Sequence, residues 1–154
     1  MTKLNNFLIL FILIFYSSAC GYNPIYSKKD IHFNINNIEF IGDRAIAQKV
    51  NEKLFSYKNK PDKKRQVNLV FNSKKNIIIA SKNDKGEAKS YKIEIKIEMK
   101  ATFENKNFIE KTFVKTATYN AIDRISKLKS LENRLTSDLS SQITDEIILT
   151  LLEK

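Results

Sequence analysis

The clearest pattern in the chain is a strict alternation of apolar and polar residues from Tyr91 to Phe103. The apolar or small positions are Tyr91, Ile93, Ile95, Ile97, Met99, Ala101 and Phe103, and Lys, Glu or Thr separates them. A period of two is typical of a strand with one buried and one solvated face. We therefore predict a long strand that turns at residues 105–107 and pairs, as an antiparallel hairpin, with a strand from Phe108 to Tyr119.

Two earlier segments also have the composition and alternation of strands. The first contains Ile31, Phe33 and Ile35, and its pattern continues to Phe40 before Gly42 interrupts it. The second begins with Val67, Leu69 and Phe71, becomes polar at residues 72–76 and is apolar again at residues 77–80. We interpret this polar interruption as a bulge or a turn.

Apolar residues at helical spacing predict two helices. The first extends from Arg44 to Tyr57; Asp43 is a suitable N-cap, and Pro61 prevents continuation. The second has apolar residues every four positions, namely Leu131, Leu135, Leu139, Ile143, Ile147 and Leu151. We place its start near Ser130, with Glu132 in the first turn. The order of elements predicts an α+β two-layer sandwich: a four-stranded, mainly antiparallel sheet with two helices packed on one face.

The N-terminal segment has the organisation of a secretory signal. Lys3 precedes an apolar run from Phe7 to Tyr16, and small residues follow it up to Cys20. The run is short for a membrane span, which needs about 20 apolar residues. An uncleaved membrane anchor or a buried helix remains the alternative.

This interpretation divides the chain into three parts: residues 1–19 are the signal peptide, residues 20–30 a tether and residues 31–154 a single domain. Cys20 is the only cysteine, so no disulfide can form within the domain. The formal net charge of the whole chain is +10, and removing Lys3 with the signal leaves +9. Such a charge favours anionic partners, whether phosphates of nucleic acid, lipid headgroups or lipid-linked sugars.

The sequence offers little support for catalysis. His32 is the only histidine, so a multi-histidine metal site and a His/Cys nucleophile are not expected. The three glycines are isolated, which gives no phosphate-binding loop. We therefore expect no enzyme activity, no catalytic residue, no metal and no cofactor. Nucleic-acid binding is not expected either, because the strand aromatics lie in the apolar register and the chain is predicted to be exported.

Several motifs together resemble a known family, the outer-membrane lipoproteins of lipopolysaccharide assembly of the LptE type, in their alphaproteobacterial form. The sequence SSAC followed by Gly21 resembles a lipoprotein signal, and Cys20, Gly21, Tyr22, Pro24 and Tyr26 resemble the family's post-cysteine CGFxPLY signature. The other matching segments are IGDRAIAQKVNEKL at 41–54, Tyr91, Tyr119 with Asn120, and SLENRL at 130–135.

The resemblance implies a lipid on Cys20 and attachment to the outer membrane, on the periplasmic side or within a barrel lumen. It also implies a non-enzymatic protein that plugs and helps assemble an LptD-type β-barrel translocon and binds lipopolysaccharide. The residues nearest to the family's basic ligand-binding positions are Lys82, Lys85 and Lys127. Two alternatives stay open: the lysines are ordinary solvated loop charges, or the chain is an envelope lipoprotein that binds another anionic ligand or scaffolds envelope assembly without a barrel.

Overall fold

The computed structural model describes residues 33–59 and 65–153, which belong to one compact unit. The strands are β1 (Phe33–Gly42), β2 (Arg65–Lys82), β3 (Ala88–Phe103) and β4 (Phe108–Asn120). The helices are α1 (Arg44–Leu54), which continues as a 3₁₀ turn at Phe55–Tyr57, and α2 (Ile125–Leu152).

The four strands form a single mixed sheet in the order β1-β2-β3-β4. β1 is parallel to β2, whereas β2–β3 and β3–β4 are antiparallel. The alternating residues of β3 are the centre of the core: Ile93, Ile95, Ile97 and Ala101 are fully buried. The predicted α+β sandwich and the predicted β3–β4 hairpin are therefore confirmed.

A bulge in β1 keeps its apolar residues on one face of the sheet. The pairing of β1 with β2 skips Asn36, because Ile35 pairs with Val67 and Asn37 with Asn68. One extra residue changes the parity of the strand, so Ile38 and Phe40 face the same side as Phe33 and Ile35. The core can therefore take apolar residues from both halves of the strand.

The polar stretch 72–76 does not interrupt β2, so the predicted bulge or turn at this position is wrong. The pairing with β3 is regular from Val67 to Ile79, and the register shifts only after Ile79, between Ile79 and Lys82. The inward polar residues have partners that make their positions acceptable. The buried Ser73 hydroxyl donates to the Ile41 carbonyl at 3.3 Å, and the Lys75 ammonium lies 3.6 Å from the Asp43 carboxylate.

Helix α1 begins as predicted, because Asp43 caps it. Its Oδ1 accepts hydrogen bonds from the amides of Ala45 (2.9 Å) and Ile46 (3.2 Å), which the first turn of a helix otherwise leaves unpaired. The predicted last turn is 3₁₀ in form, and its Tyr57 ring stacks on Phe33 with centroids 5.3 Å apart. Since Asp43 pairs with Lys75 and Tyr57 with Phe33, α1 runs antiparallel to β1.

Helix α2 begins at Ile125, five residues before the predicted start, so the proposed cap at Ser130 is wrong. Arg124 occupies the cap position without a side-chain hydrogen bond, and Glu132 instead accepts a hydrogen bond from the Tyr119 hydroxyl at 2.7 Å. The predicted apolar stripe is otherwise correct, since Leu139, Ile143, Ile147 and Leu151 are buried.

Small hydroxyl residues accompany the apolar stripe of α2. Thr136, Ser140 and Thr144 are buried at a spacing of four, and each hydroxyl donates to the carbonyl four residues earlier at 2.6–2.7 Å. Their polar atoms are satisfied within the helix. The two helices are also joined by Lys53 of α1, whose ammonium contacts both carboxylate oxygens of Asp145 at 2.7 Å.

Candidate functional site

Two of the three predicted ligand-binding lysines lie on the β2–β3 hairpin. Lys82 is the last residue of β2, and Lys85 lies in the loop 83–87. Asn83 organises this loop: its Oδ1 accepts from the amides of Lys85 (3.0 Å) and Glu87 (2.9 Å), and its Nδ2 donates to Glu87. These hydrogen bonds fix the backbone of the turn. Both lysine side chains are exposed at this end of the hairpin.

The third lysine, Lys127, lies in the first turn of α2 at the same end of the sheet. The amide of Ala121, just after β4, donates to the carbonyl of Lys89 near the start of β3 at 3.0 Å. This bond joins the β4–α2 junction to the strand that leaves the β2–β3 loop. We call this region, comprising β2 from Lys74, the loop 83–87, the junction 121–124 and the start of α2, the distal end.

Lys127 lines an open groove of about 570 Å³ on α2. The other lining residues are Ile122, Ser126, Ser130, Leu131 and Arg134. Lys127 and Arg134 are seven residues apart, so two turns of the helix place them on one face. The groove therefore combines two cations with apolar and hydroxyl side chains.

The structure thus places all three lysines at the distal end but not in one pocket. Lys82 and Lys85 do not line the groove that contains Lys127. Arg134 was not among the predicted ligand-binding residues. A helix that begins at Ile125 includes both Lys127 and Arg134, and their spacing of seven residues would then place them on one face.

Basic side chains outnumber acidic ones at the distal end. Residues 81–90 and 121–134 contain seven cations, Lys82, Lys85, Lys89, Arg124, Lys127, Lys129 and Arg134, and four acids, Asp84, Glu87, Asp123 and Glu132. Two of the acids already accept hydrogen bonds, Glu87 from Asn83 and Glu132 from Tyr119. The excess of cations makes this end a favourable place for an anionic ligand.

Tyr119 anchors the start of α2 to the sheet beneath this surface. Its ring is stacked on Tyr91 with centroids 5.7 Å apart, and its hydroxyl donates to Glu132. Burial, reinforced by this hydrogen bond and by the negative charge of Glu132, raises the pKa of the Tyr119 hydroxyl well above its ordinary value. The phenol is therefore neutral at physiological pH and serves as a hydrogen-bond donor.

The described residues contain no cluster of three or more His, Cys, Asp or Glu side chains that could hold a metal ion. No helix within residues 33–59 and 65–153 is long and apolar enough to cross a membrane. Cys20, His32, Pro61, the signal peptide and the tether lie outside the described residues.

The fold is similar to that of several bacterial lipoproteins of known structure. Rare lipoprotein B from Shewanella oneidensis matches with a TM-score of 0.58 at 16% identity, covering 77% of this chain and 95% of that one. Lipoprotein B from Nitrosomonas europaea matches with a TM-score of 0.55 at 12% identity, covering 75% of this chain and 80% of that one.

A minor lipoprotein from Acinetobacter baumannii gives a TM-score of 0.54 at 7% identity, covering 78% of this chain and 91% of that one. No family model and no curated protein matches the sequence. At these identities the comparisons establish a fold that this chain shares with these three lipoproteins.

Proposed function

We propose that this chain is a non-enzymatic outer-membrane lipoprotein of the LptE type. It is attached through a lipid on Cys20, plugs and helps assemble an LptD-type β-barrel, and binds lipopolysaccharide at the distal end. The observation that carries the proposal is the match in fold to rare lipoprotein B over 77% of this chain and 95% of that protein. It supports the proposal because the sequence motifs independently resemble those of an outer-membrane lipoprotein family.

The chemistry of the distal end supports an anionic amphiphile as ligand. Lipopolysaccharide presents phosphates beside acyl chains, and the groove at Lys127 has cations beside Ile122 and Leu131. Ammonium and guanidinium groups form charge-assisted hydrogen bonds with phosphate, and Arg can do so through two parallel bonds. Lys82 and Lys85 on the hairpin would extend the basic surface toward further phosphates.

The partner is tested by co-purification. The tagged full chain is extracted from its own cells in mild detergent, and we expect a large outer-membrane β-barrel to elute with it at a constant ratio. A variant with Cys20→Ala controls for the lipid anchor, and we expect it to recover less of the barrel. Recovery of the lipoprotein without any barrel would contradict the plug role. It would favour the alternative, an envelope lipoprotein that acts without a barrel partner.

The ligand is tested with the lysines. We expect the triple variant Lys82→Ala, Lys85→Ala, Lys127→Ala in the full chain to bind purified lipopolysaccharide at least about tenfold more weakly at low ionic strength. The affinity difference should shrink as salt is added, because exposed charges are screened over about 10 Å at 0.1 M salt. Arg134→Ala should weaken binding further, since it removes the second cation of the groove.

A charge-matched control removes three positive charges elsewhere: Lys49→Ala, Lys100→Ala and Lys106→Asn. Lys49 and Lys100 form exposed ion pairs of small energetic value, and Asn suits the positive φ of 63° at Lys106. We expect this control to bind lipopolysaccharide nearly as well as the unmodified chain. Equal weakening by both triple variants would show that net charge, and not the distal end, determines binding.

A further inference from the structure

Strand β2 extends well beyond the strand that pairs with it on one side. β1 ends at Gly42, opposite Ser73, whereas β2 continues to Lys82. In the part of the chain that the structure describes, no strand pairs with β2 on that side after Ser73. Because the β2–β3 pairing is regular up to Ile79, residues 74–79 form a straight edge, which we call the free edge.

The direction of the backbone groups at the free edge follows from Ser73. Its carbonyl accepts a hydrogen bond from the Asp43 amide at 3.3 Å, so it points toward the β1 side. The N–H and C=O of one residue point to the same side of a strand, and the side alternates from residue to residue. Lys75, Ile77 and Ile79 therefore present their N–H and C=O groups to the free edge, where a further strand could pair with them.

The side chains of the free edge are unusually apolar for an unpaired strand. Ile77, Ile78 and Ile79 are 38%, 58% and 49% exposed. Ile77 and Ile79 face the helical side of the sheet, since they pair with the core residues Ile93 and Tyr91. They stay exposed because α1 runs back along β1 and away from this part of β2.

The charged residues of this segment lie at the start of the free edge and beyond its end, and none lies in its middle. Lys74 and Lys75 precede the three isoleucines and Lys82 follows them, but no charged residue lies between Ile77 and Ile79. Natural edge strands are usually protected by a charge, a proline or a bulge, and here the register of β2 shifts only after Ile79. The middle of the edge is therefore open to pairing.

We infer that the free edge binds an extended segment of a partner polypeptide by β-augmentation, and that this segment has apolar residues flanked by Asp or Glu. The backbone groups require an extended peptide, the isoleucines favour apolar side chains, and the flanking lysines favour acidic ends. A second copy of the chain fits less well, because residues 74–82 contain three lysines and no acidic residue that could meet the lysines of the first copy. The inference rests on the backbone and the isoleucines of the free edge and not on the proposed function, although Lys82 belongs to both surfaces.

The experiment uses the full chain in mild detergent and a fluorescent synthetic peptide of sequence Asp-Ile-Thr-Val-Thr-Ile-Asp, with binding followed by fluorescence anisotropy. We expect saturable binding. A peptide with N-methyl groups on all of its residues, which has no backbone N–H to donate from either edge, should bind at least about tenfold more weakly. A peptide with Lys in place of both Asp residues should also bind more weakly, and the difference should shrink in high salt.

Two variants of one residue test the edge itself. Ile77→Pro removes an N–H that points to the free edge and leaves the β2–β3 ladder intact, so we expect a folded protein with at least about tenfold weaker peptide binding. Ile77→Val keeps both the N–H and an apolar β-branched side chain and should retain most of the affinity. Equal binding of the parent and N-methylated peptides to the unmodified chain would overturn the inference without requiring either variant to fold.

Two further outcomes also count against it. If the unmodified chain does not bind the acidic peptide, the free edge does not bind an extended apolar segment with acidic ends. Self-association of the full chain in sedimentation experiments, lost in Ile77→Pro, would identify a second copy as the occupant instead.

Discussion

The two ends of the sheet differ in how they are covered. Where β1 lies beside β2, α1 and the later part of α2 pack over the sheet, and Ile35, Leu69 and Phe71 are at most 1% exposed. Beyond Gly42, among the residues that the structure describes, β2 pairs only with β3, and its isoleucines are 38–58% exposed. We call the well-covered part the proximal end. The difference indicates that the proximal end supplies stability and that the distal end is available for binding, because burial of apolar surface is the main source of folding free energy.

The largest expected effect comes from comparing one apolar residue of each end that faces the helical side of the sheet. Phe71 is buried, and its ring is stacked on Phe40 with centroids 5.3 Å apart. We expect Phe71→Ala to lower the free energy of unfolding by about 3–5 kcal/mol, because it leaves a cavity in a packed core. Ile79→Ala should cost less than about 1 kcal/mol, because half of that side chain is already exposed.

Urea denaturation of the full chain, followed by circular dichroism, measures both variants under the same conditions. A cost at Ile79 as large as that at Phe71 would show that the distal end contributes equally to stability, and the division of the molecule into two ends would fail.

Two glycines with positive φ sharpen the same comparison. Gly42 (φ +105°) ends β1, and a Cβ added there would lie 2.0 Å from the carbonyl oxygen of Ser73. Gly86 (φ +83°) lies in the distal loop, with no atom within 4 Å of an added Cβ. We expect Gly42→Ala to cost about 2–3 kcal/mol, because conformational strain and a backbone clash add together. Gly86→Ala should cost about 1 kcal/mol from conformation alone.

The measurement is again the free energy of unfolding. The clash at Gly42 involves the backbone of Ser73, which takes part in the parallel pairing of β1 with β2. The loss of stability should therefore be accompanied by faster amide hydrogen exchange in β1. Similar costs at both glycines, with unchanged exchange in β1, would contradict the close approach of Gly42 to Ser73.

The well-covered elements could be predicted from the sequence, while the distal end could be predicted only in part. The alternation in β3 and the cap at Asp43 are local signals, and both gave the correct element. The continuity of β2 could not be read locally, because Ser73 and Lys75 are acceptable inside the sheet only through Ile41 and Asp43, which come from distant parts of the sequence.

The candidate site, too, could be predicted from the sequence only in part. The loop lysines are visible in the sequence, but the start of α2 is not, because Arg124 provides no capping side chain. With the start of the helix predicted at Ser130, the hydrogen bond between Tyr119 and Glu132 could not be predicted. The groove lined by Lys127 and Arg134 could not be predicted either. Ligand binding by Lys82, Lys85 and Lys127 stays a prediction.

Asp43 lies where the two ends meet, and two substitutions separate its two interactions. Asp43→Ala removes the cap of α1 and the ion pair with Lys75, and we expect a cost of about 1 kcal/mol. Asp43→Asn keeps an oxygen that can accept from Ala45 and Ile46 but removes the charge, so its cost should be less than about 0.5 kcal/mol. Thermal and urea unfolding of both variants check this. Equal costs would assign the stability to the ion pair and not to the cap.

The smallest effect concerns the bond that holds the start of α2 to the distal sheet. Tyr119→Phe removes the hydrogen bond to Glu132, and we expect it to cost about 0.5–1 kcal/mol near pH 7. The pKa of Tyr119 is raised in the folded state, so its contribution to stability is complete below the ordinary tyrosine pKa of about 10. Above that pH the unfolded chain loses the proton while the folded chain keeps it, so stability declines.

The stability difference between the unmodified chain and Tyr119→Phe should therefore be constant from pH 7 to 9 and should shrink as the pH rises to 11. All other ionisable groups are the same in both proteins, so their contributions cancel in the difference. Urea denaturation at these pH values gives the result, and Phe71→Ala serves as a control whose cost should not follow this pH dependence. A difference that stays constant through pH 11 would mean that Tyr119 ionises equally easily in both states. The hydrogen bond to Glu132 would then not be the contact that fixes the start of α2.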